Sequence, residues 1–102
     1  MAEFVKVARA DEISSGQGKL VEVGGKRIAL FNVGGSFYAI DDMCTHRGGP
    51  LSEGVLSGLE VTCPWHGAAF NVTTGECTRF PATQAVARYQ VRLTGDSVEV
   101  EV

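Results

Sequence analysis

Cysteine and histidine are scarce in this chain, three and two among 102 residues. Any metal or catalytic centre must draw on that short list. Cationic character is lacking too. The net charge is −3 and no basic cluster occurs, so nucleic-acid binding has no electrostatic footprint. No apolar run approaches the roughly 20 residues that a membrane helix needs. The first residues, Met1 to Arg9, hold no cationic segment followed by an apolar stretch, so no secretory signal is expected. An odd number of cysteines does not make a secreted disulfide scaffold, and a reducing cytoplasm is the expected location. Disorder is excluded by a composition of 44% hydrophobic and 21% charged residues, close to the globular average. The length suits one domain with a modest core. Glycine, by contrast, is abundant, at 13 residues.

A period of two dominates the pattern, which predicts an all-β fold of antiparallel strands. Strands are expected over Phe4–Ala8, Lys19–Val23, Lys26–Val33 and Ser36–Ile40. Gly24-Gly25 and Gly34-Gly35 separate the last three, and each pair can supply the positive φ of a tight hairpin turn. Near the C-terminus, Ala85, Ala87, Tyr89, Val91 and Leu93 alternate with polar residues; Thr94-Gly95-Asp96 then turns the chain, and Val98, Val100 and Val102 alternate again. That pattern predicts a hairpin with one buried face. Ala10 to Ser15 could form a single helical turn.

Between residues 42 and 81 the alternation fades. All three prolines, all three cysteines and both histidines lie in this stretch. It is expected to be an irregular unit inserted into the β base (residues 1–41 and 82–102) of a single domain, residues 1–102. A structureless stretch of that length calls for a functional or stapling explanation. The candidates are Cys44-Thr45-His46 and Cys63-Pro64-Trp65-His66, a C-x-H-x16-C-x-x-H pattern. Each half offers one thiolate and one imidazole close enough for one tight turn to aim both at a common site. Gly48, Gly49 and Gly67 flank them, leaving backbone N–H groups open toward an anion. Zinc is the competing reading of two Cys and two His, although zinc sites usually pair like with like, as C-x2-C and H-x3–5-H. A catalytic Cys/His pair would leave the duplicated spacing unexplained.

Cys44-Thr45-His46-Arg47-Gly48-Gly49-Pro50-Leu51 and Cys63-Pro64-Trp65-His66-Gly67 resemble the two cluster-binding loops of Rieske-type 2Fe–2S proteins. The likeness to soluble Rieske ferredoxins continues through Leu51-Ser52-Glu53-Gly54, Phe70-Asn71, Thr74-Gly75-Glu76 and the closing hairpin. It implies a Rieske-type β-sandwich base with a small inserted cluster-binding subdomain. It implies one 2Fe–2S cluster, with Cys44 and Cys63 on one iron and His46 and His66 on the other. Replacing two thiolates by neutral imidazoles raises the reduction potential above that of all-cysteine clusters. The respiratory branch of the family has an extra cysteine in each loop, where this chain has Gly49 and Trp65. It also has a serine and a tyrosine whose hydroxyls bond cluster sulfurs, where this chain has Ala68 and Phe70. Without those donors the potential is expected low in the Rieske range, about −150 mV.

The resemblance implies a carrier of single electrons, not an enzyme in itself. A Rieske oxygenase needs a second iron held by two histidines and a carboxylate, and the cluster would use both histidines here. No G-x-G-x-x-G nucleotide fingerprint occurs. The implied partners are a flavoprotein NAD(P)H reductase and a terminal, aromatic-ring-hydroxylating oxygenase, which would dock transiently at the His46/His66/Trp65 tip. A small subunit of an assimilatory nitrite reductase is the alternative. Trp65 is read first as packing over its loop, with partner docking as the second reading. Arg47 is read as a solvated charge, Asp41-Asp42 as the turn into the first loop, and Cys77 as an inert thiol.

Overall fold

A computed structural model describes residues 3–43, 50–65, 67–79 and 84–101. Eleven strands appear among them: β1 (Phe4–Arg9), β2 (Gly18–Val23), β3 (Lys26–Val33), β4 (Ser36–Asp41), β5 (Val55–Ser57), β6 (Glu60–Thr62), β7 (Ala69–Asn71), β8 (Cys77–Arg79), β9 (Arg88–Tyr89), β10 (Val91–Thr94) and β11 (Ser97–Glu101). They form three antiparallel sheets ordered β1-β11-β10, β2-β3-β4-β9 and β5-β6-β7-β8.

The meander β2-β3-β4 turns where the glycine pairs fall. Val23 pairs with Lys26 and Val33 with Ser36, so each connection is two residues long. All four glycines have positive φ, between 57° and 95°. Only such turns match the twist of the flanking strands.

The middle sheet is covered on both faces. Along β3, Ile28 and Leu30 join a core with Val21, Ala39, Val98 and Val100 from the surrounding strands. Ala29 and Phe31 point the other way, into a core with Leu51, Val61, Cys63, Phe70 and Val86. Both-sided burial explains why β3 reads as a continuous apolar run rather than an alternation. Its one polar member, Asn32, is buried but satisfied. Its Nδ2 donates to the Ile13 carbonyl at 2.7 Å, and its Oδ1 accepts the Gly35 N–H at 2.8 Å.

Three expectations are corrected. Residues 42–81 are not irregular throughout, because β5 to β8 form a complete sheet within them. The alternating run 85–93 is not one strand of a hairpin. It breaks at Gln90, so that β9 pairs with β4 while β10 pairs with β11. Val86 is the buried residue there, and Ala85, Ala87 and Leu93 are exposed. The chain changes sheets at this point, and a period of two reports extended backbone without reporting the partner strand. The helical turn after β1 is a 3-10 turn confined to Ala10–Glu12, with the Arg9 N–H donating to the Glu12 carboxylate at 2.9 Å.

Candidate metal centre

The second motif lies at the open end of an antiparallel strand pair. β6 and β7 pair through Thr62 and Ala69, and the six residues 63–68 connect them. The Cys63 N–H donates to the Ala68 carbonyl at 2.6 Å, which closes the base of that connection. Cys63 is 2% exposed and packs in the same core as Phe70, Val61 and Leu51. Its Sγ accepts the Trp65 backbone N–H at 3.4 Å. A backbone N–H aimed at a cysteine sulfur favours the thiolate, the form that ligates metal. Beyond it, Gly67 has φ of 77°, and a Cβ built there would meet nothing within 4 Å. The loop therefore leaves open space on the side a methyl group would enter.

The residues that flank the first motif are bridged to each other at the end of β4. Met43 and Pro50 form an isolated antiparallel bridge, and the Leu51 N–H donates to the Asp42 carbonyl at 2.7 Å. Six residues, 44–49, separate the bridged pair. Cys44, His46 and Arg47, with Gly48 and Gly49, lie outside the described residues, as does His66. The bases of the two loops are neighbours. Trp65 lines one cavity of about 220 Å³ together with Arg27, Asp42, Met43, Pro50 and Glu53. Trp65 is 50% exposed and Met43 60%, so the indole does not simply pack over its loop.

Ala68 and Phe70 are both fully buried. Neither carries a hydroxyl, and Phe70 spends its ring on the core around Cys63. Cys77 is half-buried against that core, with its Sγ donating to the Arg79 carbonyl at 3.5 Å. Among the described residues, no three His, Cys, Asp or Glu side chains gather into another metal site.

A family model described as Rieske [2Fe-2S] domain matches residues 3–90. The chain belongs to that family. Its Rieske cofactor is a 2Fe–2S cluster, and the buried Cys63 sulfur and the open Gly67 side of the loop fit such a group. The chain is 40% identical over 91 residues to the ferredoxin component of the naphthalene 1,2-dioxygenase system of Pseudomonas aeruginosa. The match covers 89% of this chain and 88% of that one. It is 37% identical over 94 residues to apoptosis-inducing factor 3 of Mus musculus, where the match covers 92% of this chain but only 16% of the relative. Thus the chain spans about a sixth of one class of relative and most of the other. Among solved structures, the ferredoxin of carbazole 1,9a-dioxygenase from Nocardioides aromaticivorans IC177 superposes with a TM-score of 0.92 at 33% identity, covering 95% of each chain. The all-β Rieske fold read from the sequence is thereby borne out.

Two features were missed at the level of sequence. The burial of Asp42, at 3% exposure, had no signal beyond its place in an Asp-Asp pair. The hydrogen bond from the Tyr89 hydroxyl to Asp41 Oδ1, at 2.5 Å, joins residues 48 positions apart, and no local pattern marks it.

Proposed function

We propose that this Rieske protein is a one-electron carrier that takes electrons from a flavoprotein NAD(P)H reductase and delivers them to a terminal oxygenase of the aromatic-ring-hydroxylating type. The observation that carries the reading is the loop 63–68, which buries a cysteine sulfur under a backbone N–H at the end of a hairpin, in a chain of this family. The cluster supplies one-electron redox chemistry when bound. Cys44 and Cys63 hold one iron as thiolates, and His46 and His66 hold the other through one ring nitrogen each. Support for the oxygenase comes from the names of the ferredoxin relatives, which belong to dioxygenase systems. A solved structure titled as the small subunit of a putative nitrite reductase shares the fold at 22% identity, which carries the fold and not the role, and a zinc module does not suit the family.

The docking face is the tip bearing His46, His66 and Trp65. Half-exposed Trp65 and Met43 supply apolar area there. Small, weakly held contacts suit electron-transfer encounters. No helix among the described residues is long and apolar enough to cross a membrane. A reducing cytoplasm suits the thiolate donors.

Iron and sulfide analysis with an EPR spectrum of the reduced protein tests the centre. Two irons and two sulfides with a Rieske signal are expected. Loss of that signal in Cys44→Ser, His46→Ala, Cys63→Ser and His66→Ala tests the ligands one by one. A colourless protein holding one zinc would overturn the reading. Reconstitution with a flavoprotein reductase and a ring-hydroxylating oxygenase tests the electron path. Failure to stimulate substrate hydroxylation in any such system would overturn the oxygenase partner.

A further inference from the structure

Nine of the described glycines have positive φ, and that conformation accounts for them. Gly54 is different. Its φ of −74° and ψ of 170° are extended backbone that any residue adopts. Glycine costs chain entropy at such a position, so what the fold uses there is the missing side chain. A Cβ built on Gly54 would fall deep inside van der Waals contact of the Thr62 carbonyl oxygen. It would also stand 2.9 Å from Val61 Cγ2 and 3.1 Å from the Leu51 carbonyl oxygen. Two of these three atoms are main chain and cannot rotate away.

This close approach joins the two motif-bearing loops. The chain leaves the first loop at Pro50, which is bridged to Met43, and passes through the 3-10 turn Leu51–Glu53. The Gly54 N–H closes that turn on the Leu51 carbonyl at 3.0 Å. The Leu51 side chain is buried in the core that holds Cys63. Thr62, on whose carbonyl Gly54 rests, immediately precedes Cys63 and pairs with Val55. The exit of the first loop and the entry of the second therefore meet main chain to main chain. The turn is closely seated on its other side too, where a Cβ on Gly18 of β2 would stand 3.1 Å from the Ser52 carbonyl oxygen.

We propose that Gly54 is a positioning residue of the electron-transfer centre, whose missing side chain sets the separation of the two ligand-bearing loops. An added methyl group must part the turn from β6 by about 1 Å to reach ordinary contact near 3.5 Å. Metal–ligand distances tolerate only about 0.2 Å. With Cys44 and Cys63 on one iron and His46 and His66 on the other, each iron takes one ligand from each loop, so parting the loops strains both irons. The inference rests on that ligand assignment, proposed above.

The test compares holoprotein carrying Gly54→Ala with holoprotein carrying Gly58→Ala. Gly58 lies at the far turn of the hairpin β5-β6, with φ of 60°, and a Cβ there would meet nothing within 4 Å. Gly58→Ala therefore strains the backbone without reaching either loop. Gly54→Ala should release iron to a chelator at least about tenfold faster than the native protein, as about 1.4 kcal/mol off the barrier gives. The EPR signal of its reduced form should shift, while its far-UV circular dichroism stays native. Gly58→Ala should melt at a lower temperature yet keep the native EPR signal and native iron release. A native signal with native iron release in Gly54→Ala would overturn the inference. Equal acceleration in Gly58→Ala would overturn it too, because iron loss would then report stability alone. If Gly54→Ala does not fold, Gly54→Ala/Val61→Ala is compared with Val61→Ala; this pair relieves the Val61 contact and keeps the Thr62 one. Equal iron release in that pair, or unfolding of the double variant as well, would make Gly54 an ordinary core contact and overturn the positioning role. Survival of the native spectrum in Cys44→Ser would remove the ligand assignment, and this inference with it. Loss of that spectrum together with an unaltered Gly54→Ala would remove only the inference.

Discussion

Removing one oxygen atom, in Tyr89→Phe, tests how the return strand holds the entrance to the first loop. Tyr89 lies on β9 opposite Ala39 of β4, and its hydroxyl donates to Asp41 Oδ1 at 2.5 Å. Burial first, then the hydrogen bond to Asp41 and its charge, push the Tyr89 pKa up from 10.0 to about 12. Two pKa units correspond to about 2.7 kcal/mol at 1.36 kcal/mol per unit. Burial, the largest cause, penalises the phenolate rather than strengthening the neutral contact, and with solvent screening of this half-buried pair the hydrogen bond's own share is about 1 kcal/mol. A folded-state pKa above the unfolded value stabilises the protein fully below pH 10. The contribution is lost as pH rises through about 12. Phenylalanine keeps the ring, and hence the Lys26 ammonium 5.4 Å from its centroid, so the comparison isolates the hydroxyl. At pH 7, Tyr89→Phe should lower the thermal midpoint by about 4–8 °C, the shift expected of 1 kcal/mol in a domain of this size. The gap should close between pH 10 and 12. Far-UV circular dichroism melts of matched holoprotein samples measure both. Equal midpoints at pH 7, or a gap that persists unchanged to pH 12, would refute the reasoning.

Other substitutions probe the centre and the core. Phe70→Ala empties the fully buried site beside Cys63 and should cost about 3–5 kcal/mol in urea unfolding. Ala68→Ser restores a hydroxyl where the family's high-potential branch has one. A gain of about 1.4 kcal/mol in favour of the reduced state would raise the potential by about 59 mV, read by redox titration. Asn32→Ala strands the Ile13 carbonyl and the Gly35 N–H and should destabilise by about 2–4 kcal/mol in the same urea assay. Cys77→Ser should leave the visible spectrum intact, because the thiol touches the Arg79 carbonyl and the core; bleaching would give it a place in the centre.

The most legible parts of the sequence were those where chemistry and geometry demand rare residues together. The Gly-Gly turns of β2-β3-β4 needed positive φ, and few residues other than glycine reach it. The duplicated Cys/His motif needed soft and imidazole donors at short spacing. The third sheet was illegible for a plain reason: its strands are three residues long, too short to establish a period of two. Val55, in β5, is even 72% exposed, so the alternation starts on the wrong foot. The run 85–93 looked like one strand because both of its halves are extended, and the change of sheet at Gln90 leaves the alternation unbroken. Asp42 read as a turn residue because its burial comes from β3 and from Ser52, partners distant along the chain.

The hairpin β5-β6 gives the sixteen residues between His46 and Cys63 a meaning the motif alone does not have. Half of that interval is the hairpin itself, turning at Gly58-Leu59 on the exposed surface. Val55 pairs with Thr62, immediately before Cys63, so each rung added to the ladder would lengthen the chain without moving either loop. The bond from the Val72 N–H to the Leu59 carbonyl is the contact such an extension would forfeit. The interval is therefore set by the length of a hairpin rather than by a metal-imposed distance. A chain with a longer or shorter hairpin could keep both loops in place, and a search that fixes the gap at sixteen would pass it by.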